Sequence, residues 1–178
     1  MNVTPTSDKS QRDAASQRSV VLVTGMSGTG KSSALAVLAR HGHQTVDTDE
    51  PGWIVVRQAP AGPEPVWDLD RIGALLDSHR VGWLFIAGCV ANQRALYHRF
   101  DAVVLLSAPI AVLLQRVTDR ANPFGSTAED RVKIATDHAS YEPLLRAGAD
   151  YEIVTTTPVC AVASALERIA STGRRTSR

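Results

Sequence analysis

At 178 residues, with 44% hydrophobic and 21% charged residues, the chain has the size and balance of one globular domain able to bury a core. A formal net charge of +1 excludes a broadly basic surface, so nucleic acid is not an expected partner. The two cysteines, Cys89 and Cys160, are too few and too far apart for a disulfide scaffold. They read as small core residues of a protein kept in the reducing cytoplasm.

Residues 1–18, MNVTPTSDKSQRDAASQR, are polar and lack the apolar run of a signal peptide. No later stretch approaches the roughly 20 apolar residues of a membrane span. A disordered leader, a cytoplasmic location and no membrane contact are therefore expected. From Ser19 on, short apolar runs alternate with helical patterns, the signature of an α/β protein whose parallel sheet lies between helices. The predicted strands are Ser19–Thr24, Gln44–Asp47, Gly82–Ala87, Ala102–Ser107 and Tyr151–Thr155.

The first strand runs into Gly25-Met26-Ser27-Gly28-Thr29-Gly30-Lys31-Ser32, which satisfies G-x-x-x-x-G-K-[ST] and is followed by the helical ALAVLAR. Glycines let successive N–H groups turn inward, and the helix N-terminus adds about half a positive charge. Ser27, Gly28, Thr29, Gly30, Lys31, Ser32 and Ser33 are thus expected to hold the phosphates of ATP. Lys31 reaches the outer phosphates, and the Ser32 hydroxyl serves Mg²⁺.

The second strand ends in Asp47-Thr48-Asp49-Glu50, where extended geometry turns Asp47 and Asp49 to the same side. By contrast WLFIA ends in Gly88-Cys89-Val90 without a carboxylate, and Asp101 stands at the wrong end of AVVLLS for a motor's acidic pair. This pattern favours phosphoryl transfer to a hydroxyl. Asp47 is assigned to Mg²⁺ through water, and Asp49 to the acceptor proton. The proline-rich segment from Pro51 to Pro65 and the stretch from Asn122 to Thr127 resist any regular pattern and are assigned to substrate enclosure.

In that setting Trp53 is a candidate for stacking on substrate, Trp67 a weaker one, and Trp83 reads as core. Arg57, Arg71 and Arg94 are possible sources of positive charge. Asn92 is open between bonding a substrate hydroxyl and capping a helix. Helices are expected from Asp68 to His79 with Asp68 as cap, from Pro109 through Val117, and over Val159 to Ile169. Arg116 and Arg120 share a face of the second of these just before ANPFGST. There they form a lid in which Arg120 meets the transferred phosphoryl and Arg116 the base or hinge. The histidines His41 and His43 flank Gly42 and lack the cysteine spacing of a zinc site. Domain limits follow: a leader over 1–18, one domain over 19–171 with its lid about 120–128 and an enclosing segment about 50–80, and a flexible tail over 172–178.

Together, GMSGTGKSS, the DTD after the second strand, AGCV after the third, the arginine pair, YEPLLRAGADYEI and TTTP resemble the shikimate kinase and gluconate kinase branch of P-loop small-molecule kinases, related to nucleoside monophosphate kinases. The resemblance runs from Val20 to Ala170. It implies a three-layer P-loop kinase fold, a five-stranded parallel sheet in the order 2-3-1-4-5 with helices on both faces and a small lid. It also implies Mg-ATP as donor, with the turn Thr155-Thr156-Thr157-Pro158 beside the adenine and Arg116 opposite. Gly88-Cys89-Val90 stands where shikimate kinases have a glycine triplet, implicating Gly88 in substrate binding. Tyr141-Glu142-Pro143 lacks their carboxylate-gripping arginine, so shikimate is not the expected acceptor.

The expected protein is a kinase that binds ATP and a small hydroxyl-bearing substrate as monomer or homodimer. The alternatives are a nucleoside monophosphate kinase and a nucleotide-binding regulator or ATPase without transfer.

Overall fold

The structure, a computed structural model, describes residues 17–60, 62–118 and 127–172. The expected leader through residue 16, the lid residues 119–126 with Arg120, and the tail from 173 lie outside the described residues. Arg18, expected in the leader, is tied down: its guanidinium donates to the His79 carbonyl at 3.0 Å and lies 3.7 Å from Asp101.

Strands β1 (Ser19–Thr24), β2 (Gln44–Asp47), β5 (Trp83–Ala87), β6 (Ala102–Ser107) and β7 (Tyr151–Val154) form one sheet in the order β2-β5-β1-β6-β7, every pair parallel. With the inserted strands β3 and β4 set aside, this is the expected order 2-3-1-4-5. β1 is buried along its whole length because the sheet is covered on both faces. Its alternate side chains feed two cores. Val21 and Val23 join Phe85, Val104 and Leu106 under helices α1 (Lys31–Arg40) and α5 (Val159–Thr172), through Leu35, Leu38, Val162 and Leu166. Val20 and Leu22 join Leu84, Ile86 and Val103 under helix α2 (Leu69–Ser78), through Ile72 and Leu76. Each such aliphatic side chain stabilises the fold by about 1.5–3 kcal/mol.

The proline-rich segment is not irregular. β3 (Ile54–Ala59) and β4 (Gly62–Trp67) pair as an antiparallel hairpin, Arg57 opposite Glu64 and Ile54 opposite Trp67. Pro63 and Pro65 fall at alternate positions of a strand with a free edge, where a missing N–H removes no ladder bond. Helix α3 (Ile110–Thr118) starts after Pro109 as expected, and α2 starts at Asp68, whose carboxylate accepts from the Arg71 N–H at 3.1 Å. Helix α4 (Ala128–Gly148) was not anticipated in the chain-order reading. Its start carries a reciprocal cap: Thr127 Oγ1 accepts from the Asp130 N–H at 3.0 Å, and the Asp130 carboxylate accepts from the Thr127 N–H at 3.3 Å.

The end of α4 is pinned to the sheet. Arg146 donates to Glu142 at 2.7 Å and to both oxygens of Glu152 at 2.9 Å, and Ser107 Oγ donates to Glu152 at 2.6 Å. The hydrogen bonds from Arg146 and then from Ser107 hold the Glu152 carboxyl at about 2, below its ordinary 4.5. A depressed carboxyl pKa gives stability that is full above 4.5 and is lost as pH falls toward 2. Glu152→Gln is therefore expected to flatten the acid limb of urea-unfolding stability measured against pH. Because the pair is solvent-screened, its cost at neutral pH is under about 1 kcal/mol. An acid limb as steep as wild type would refute the assignment.

Candidate functional site

At the carboxyl end of β1 the chain has no room for a side chain. A Cβ on Gly25 would lie 2.3 Å from the Leu106 carbonyl oxygen of β6, and Gly25 takes a φ of 149° that L side chains avoid. The backbone therefore swings out as a loop and re-enters at α1, whose cap residue Gly30 offers no side-chain bond to the first-turn N–H groups. These N–H groups and the positive end of the helix dipole face the loop interior. Lys31, 8% exposed, turns back across its own loop and donates to the carbonyls of Gly25 at 2.8 Å and Met26 at 3.3 Å. Thr29 Oγ1 donates to the Met26 carbonyl at 2.8 Å and braces the same turn.

Two cavities flank this loop. One, of about 340 Å³, is lined by Gly28, Thr29, Gly30 and Ser33 together with Arg116, Thr155, Thr157, Val159 and Val162. Arg116 joins its walls: it donates to the Gly28 carbonyl at 3.3 Å, to Thr155 Oγ1 at 3.0 Å and to the Thr155 carbonyl. The other, of about 230 Å³, is lined by Met26, Ser27, Gly28, Gly30, Lys31, Ser32, Asp49 and Cys89. Gly28 and Gly30 border both, so the glycine-rich turn is the partition between them.

The acidic pair meets this loop at Ser32, whose hydroxyl donates to Asp47 Oδ2 at 2.6 Å. Asp47 Oδ1 in turn accepts the Asp49 N–H at 3.1 Å, which orients the Asp49 side chain on the cavity wall. Thr48, between them, is fully buried and points the opposite way. Among the described residues no cluster of three His, Cys, Asp or Glu side chains could by itself hold a metal ion. A hydroxyl and one carboxylate at hydrogen-bond distance suit Mg²⁺, a hard cation that keeps most of its shell as phosphate oxygens and water. β5 ends in Ala87-Gly88-Cys89 without a carboxylate, and Asp101 is occupied at the far end of the sheet, accepting the Val20 N–H at 2.8 Å.

Other expected residues are placed differently. Arg57 is exposed on the hairpin and paired with Glu64 at 2.8 Å. The Asn92 side chain neither caps its helical turn nor lines either of these cavities: its amide accepts from the Trp67 N–H at 2.9 Å and donates to the Trp67 carbonyl at 3.0 Å. Trp53 is half-buried against the core, with the Arg71 guanidinium 4.9 Å from its ring centroid, and lines neither cavity. Thr156 and Pro158 also stand outside the cavity walls, where Thr155, Thr157 and Val159 take their place. Gly88 lies behind the wall. Its backbone passes so close to Thr48 that a Cβ would stand 2.2 Å from Thr48 Oγ1. Cys89, read as core, is half-buried on the cavity wall beside Asp49, whereas the resemblance in Gly88-Cys89-Val90 implicates its neighbour Gly88. Met26 and Val162 were missed as well. One is an unspecified position of the phosphate motif, and the other looked like any apolar position of an amphipathic helix.

A family profile described as AAA domain matches residues 21–134. A nucleotide-binding protein of Mycolicibacterium smegmatis is 30% identical over 152 residues, covering 84% of this chain and 52% of the relative. The chain thus spans about half the length of the curated relative it matches. Among solved structures, the shikimate kinase of Acinetobacter baumannii in complex with shikimate superposes with a TM-score of 0.61 at 20% identity, over 90% of this chain and 97% of that one. The shikimate kinase of Bacteroides thetaiotaomicron gives a TM-score of 0.61 at 14% identity, over 86% and 98% of the two chains. At such identities the superpositions speak for the fold. With the phosphate loop set between β1 and α1 and the profile running from inside β1 into α4, the chain belongs to the AAA domain family and has the fold of the P-loop small-molecule kinases.

Proposed function

We propose that the protein is a Mg-ATP-dependent phosphotransferase that moves the γ-phosphoryl group of ATP to a hydroxyl of a small molecule. The observation that carries this reading is the pair of cavities sharing the glycine-rich turn, with the Asp49 carboxylate in the wall of one and Arg116 in the wall of the other. A hydrolase needs only water beyond the γ-phosphate, whereas a carboxylate in the wall of the phosphate-side cavity is placed to meet the hydroxyl of an acceptor alcohol.

In this reading the nucleoside occupies the Arg116 side, against Thr155, Thr157 and Val159 and the neighbouring Thr156 and Pro158. The phosphates lie along the N–H groups of Ser27 to Ser33. Lys31 exchanges its carbonyl contacts for phosphate oxygens, and Ser32 with Asp47 would hold Mg²⁺, which would supply positive charge beside the transferring group. Asp49 accepts the proton of the acceptor hydroxyl as its oxygen bonds to phosphorus, and ADP leaves with the bridging oxygen. Arg120 and the segment of about 120–128 close over the γ-phosphoryl and exclude water. The hairpin, with Trp53 and Arg57, and the loop through Gly88 and Asn92 frame the acceptor side rather than grip the substrate directly. We further propose one domain over 19–171, acting in the cytoplasm as monomer or homodimer.

A second reading, nucleotide binding without transfer, is favoured by the name of the M. smegmatis relative and by its greater length. Release of ADP with and without candidate hydroxyl compounds separates the two: only the kinase is accelerated by an acceptor. Asp49→Asn should lower acceptor-dependent turnover by about 10²-fold or more while ATP affinity stays within twofold, and unaltered turnover would remove Asp49 as proton acceptor. Lys31→Met should abolish measurable binding of a fluorescent ATP analogue in equilibrium titration. Arg120→Ala should lower kcat by on the order of 10³-fold with little change in nucleotide affinity, whereas an intact kcat would take the lid arginine out of the reaction.

A further inference from the structure

A cluster outside both cavities decides where the acidic pair points. Thr48 is fully buried, and its hydroxyl donates to the Ala87 carbonyl at 2.8 Å while accepting from the Trp67 indole N–H at 2.9 Å. Its backbone N–H donates to the same carbonyl at 2.9 Å, so the residue is held twice to the end of β5. Trp67, 1% exposed, is itself fixed on both sides of its backbone by the Asn92 amide. Gly88 closes the cluster, since any Cβ there would stand 2.2 Å from Thr48 Oγ1 and 3.0 Å from the Trp67 ring. Three chain segments thus meet at one hydroxyl, the turn after β2, the end of β4 and the end of β5 with Gly88, and Asn92 ties the second of them to the following helical turn.

From this geometry we propose that Thr48 is the positioning residue of the Asp47–Asp49 pair, and that the Trp67 indole and Gly88 are the parts that lock it. β2 ends at Asp47, and Thr48 and Asp49 form the turn that follows, closed by the Glu50 N–H on the Asp47 carbonyl at 3.2 Å. The extended alternation expected of Asp47 and Asp49 therefore does not apply; with Thr48 anchored inward, this turn leaves Asp47 on Ser32 and Asp49 in the cavity wall. Without the lock the turn after β2 is free to shift, and with it go the Asp49 carboxylate and the Asp49 N–H that orients Asp47 Oδ1. The consequence falls on Mg²⁺ use and on the transfer step, and leaves nucleotide affinity without metal untouched, because no member of the lock lines the Arg116 cavity. The transfer arm of this inference rests on the phosphotransferase reading; the metal arm does not.

The test uses Thr48→Val, which keeps the shape and deletes the hydroxyl, with Thr48→Ser, which restores it, and Trp67→Phe, which removes the indole donor. A fluorescent ATP analogue is titrated with and without Mg²⁺, and acceptor-dependent ADP release gives kcat and KM. Loss of a residue that orients a metal ligand typically costs about 10–100-fold. T48V is therefore expected to need about tenfold more Mg²⁺ for half-maximal tightening of the analogue, with metal-free affinity unchanged. Its kcat should fall about tenfold at an unaltered KM for ATP. T48S should return both quantities to within twofold of wild type, and W67F should shift them in the same direction, with the double variant T48V/W67F no worse than T48V.

Normal Mg²⁺ use and kcat in T48V would overturn the proposal. So would equal damage in T48S and T48V, which would mark a packing effect, and so would additive losses in the double variant. If wild type shows no acceptor-dependent ADP release, the phosphotransferase reading fails and the Mg²⁺ titration alone decides the role of Thr48. If T48V does not fold by circular dichroism, W67F replaces it in both measurements.

Discussion

The site hangs on the crowding at the carboxyl end of β1. β1 lies between β5 and β6, buried on both faces and paired on both edges, so the chain leaving it can turn neither into the sheet nor along it. The carbonyl of Leu106 stands where a side chain at position 25 would go, and only glycine passes. What leaves is a loop whose N–H groups have no strand to pair with and whose carbonyls are taken up by Lys31 and Thr29. A concavity lined by N–H groups and a buried ammonium, over the start of a helix, attracts phosphate without any further device. The place is also where the sheet order changes direction, with β1 preceding β5 on one side and β6 on the other, the position at which doubly wound sheets open a crevice.

Around this point the two sides of the loop differ in chemistry. Toward β6 and β7 the wall is made of hydroxyls, apolar groups and one guanidinium that joins the glycine-rich turn to the loop after β7. Toward β2 and β5 it is made of a carboxylate, a thiol and the hydroxyl of Ser32. The first offers hydroxyl and apolar contacts with one fixed positive charge, and the second sets a carboxylate and a hydroxyl beside the Lys31 ammonium. Glu152 and Arg146 lie behind the first wall, where Ser107 Oγ bonds Glu152 and the Ser107 carbonyl accepts Thr155 Oγ1 at 3.2 Å. One strand end thus serves the packing of α4 and the shape of the cavity together.

The sequence was legible where a single local rule governs. Apolar runs buried on both faces identified β1, β5 and β6, and the alternation of short runs with helical patterns placed the more exposed edge strands β2 and β7. The glycine-lysine motif identified the loop, and Asp68 marked the start of α2. It was illegible where two rules compete. Pro63 and Pro65 argued against strands, yet a two-stranded ribbon has an unpaired edge that tolerates them. Helix α4 carries Pro143 and scattered polarity without a clean apolar stripe, and only the Thr127–Asp130 cap announced it. Asn92 shows the same limit for function. A polar residue after a strand has several uses, and the one taken here, bonding both backbone groups of Trp67, needs a partner 25 residues away.

The sequence by itself determined that a phosphate-binding type of loop sits between a buried strand and a helix, and that an acidic pair follows the next strand in the chain. Both are patterns of consecutive residues, set by backbone geometry within a few positions. Only the tertiary structure decided which residues share a wall: Cys89 with Asp49, Arg116 with Thr155, and Thr48 with Trp67, Ala87 and Gly88. Those meetings join segments far apart in the chain, brought together by sheet order and by the burial that draws β1, β5 and the hairpin into one core. No periodicity encodes them, because hydrophobic burial rewards the removal of apolar area from water and is indifferent to which polar groups end up facing one another.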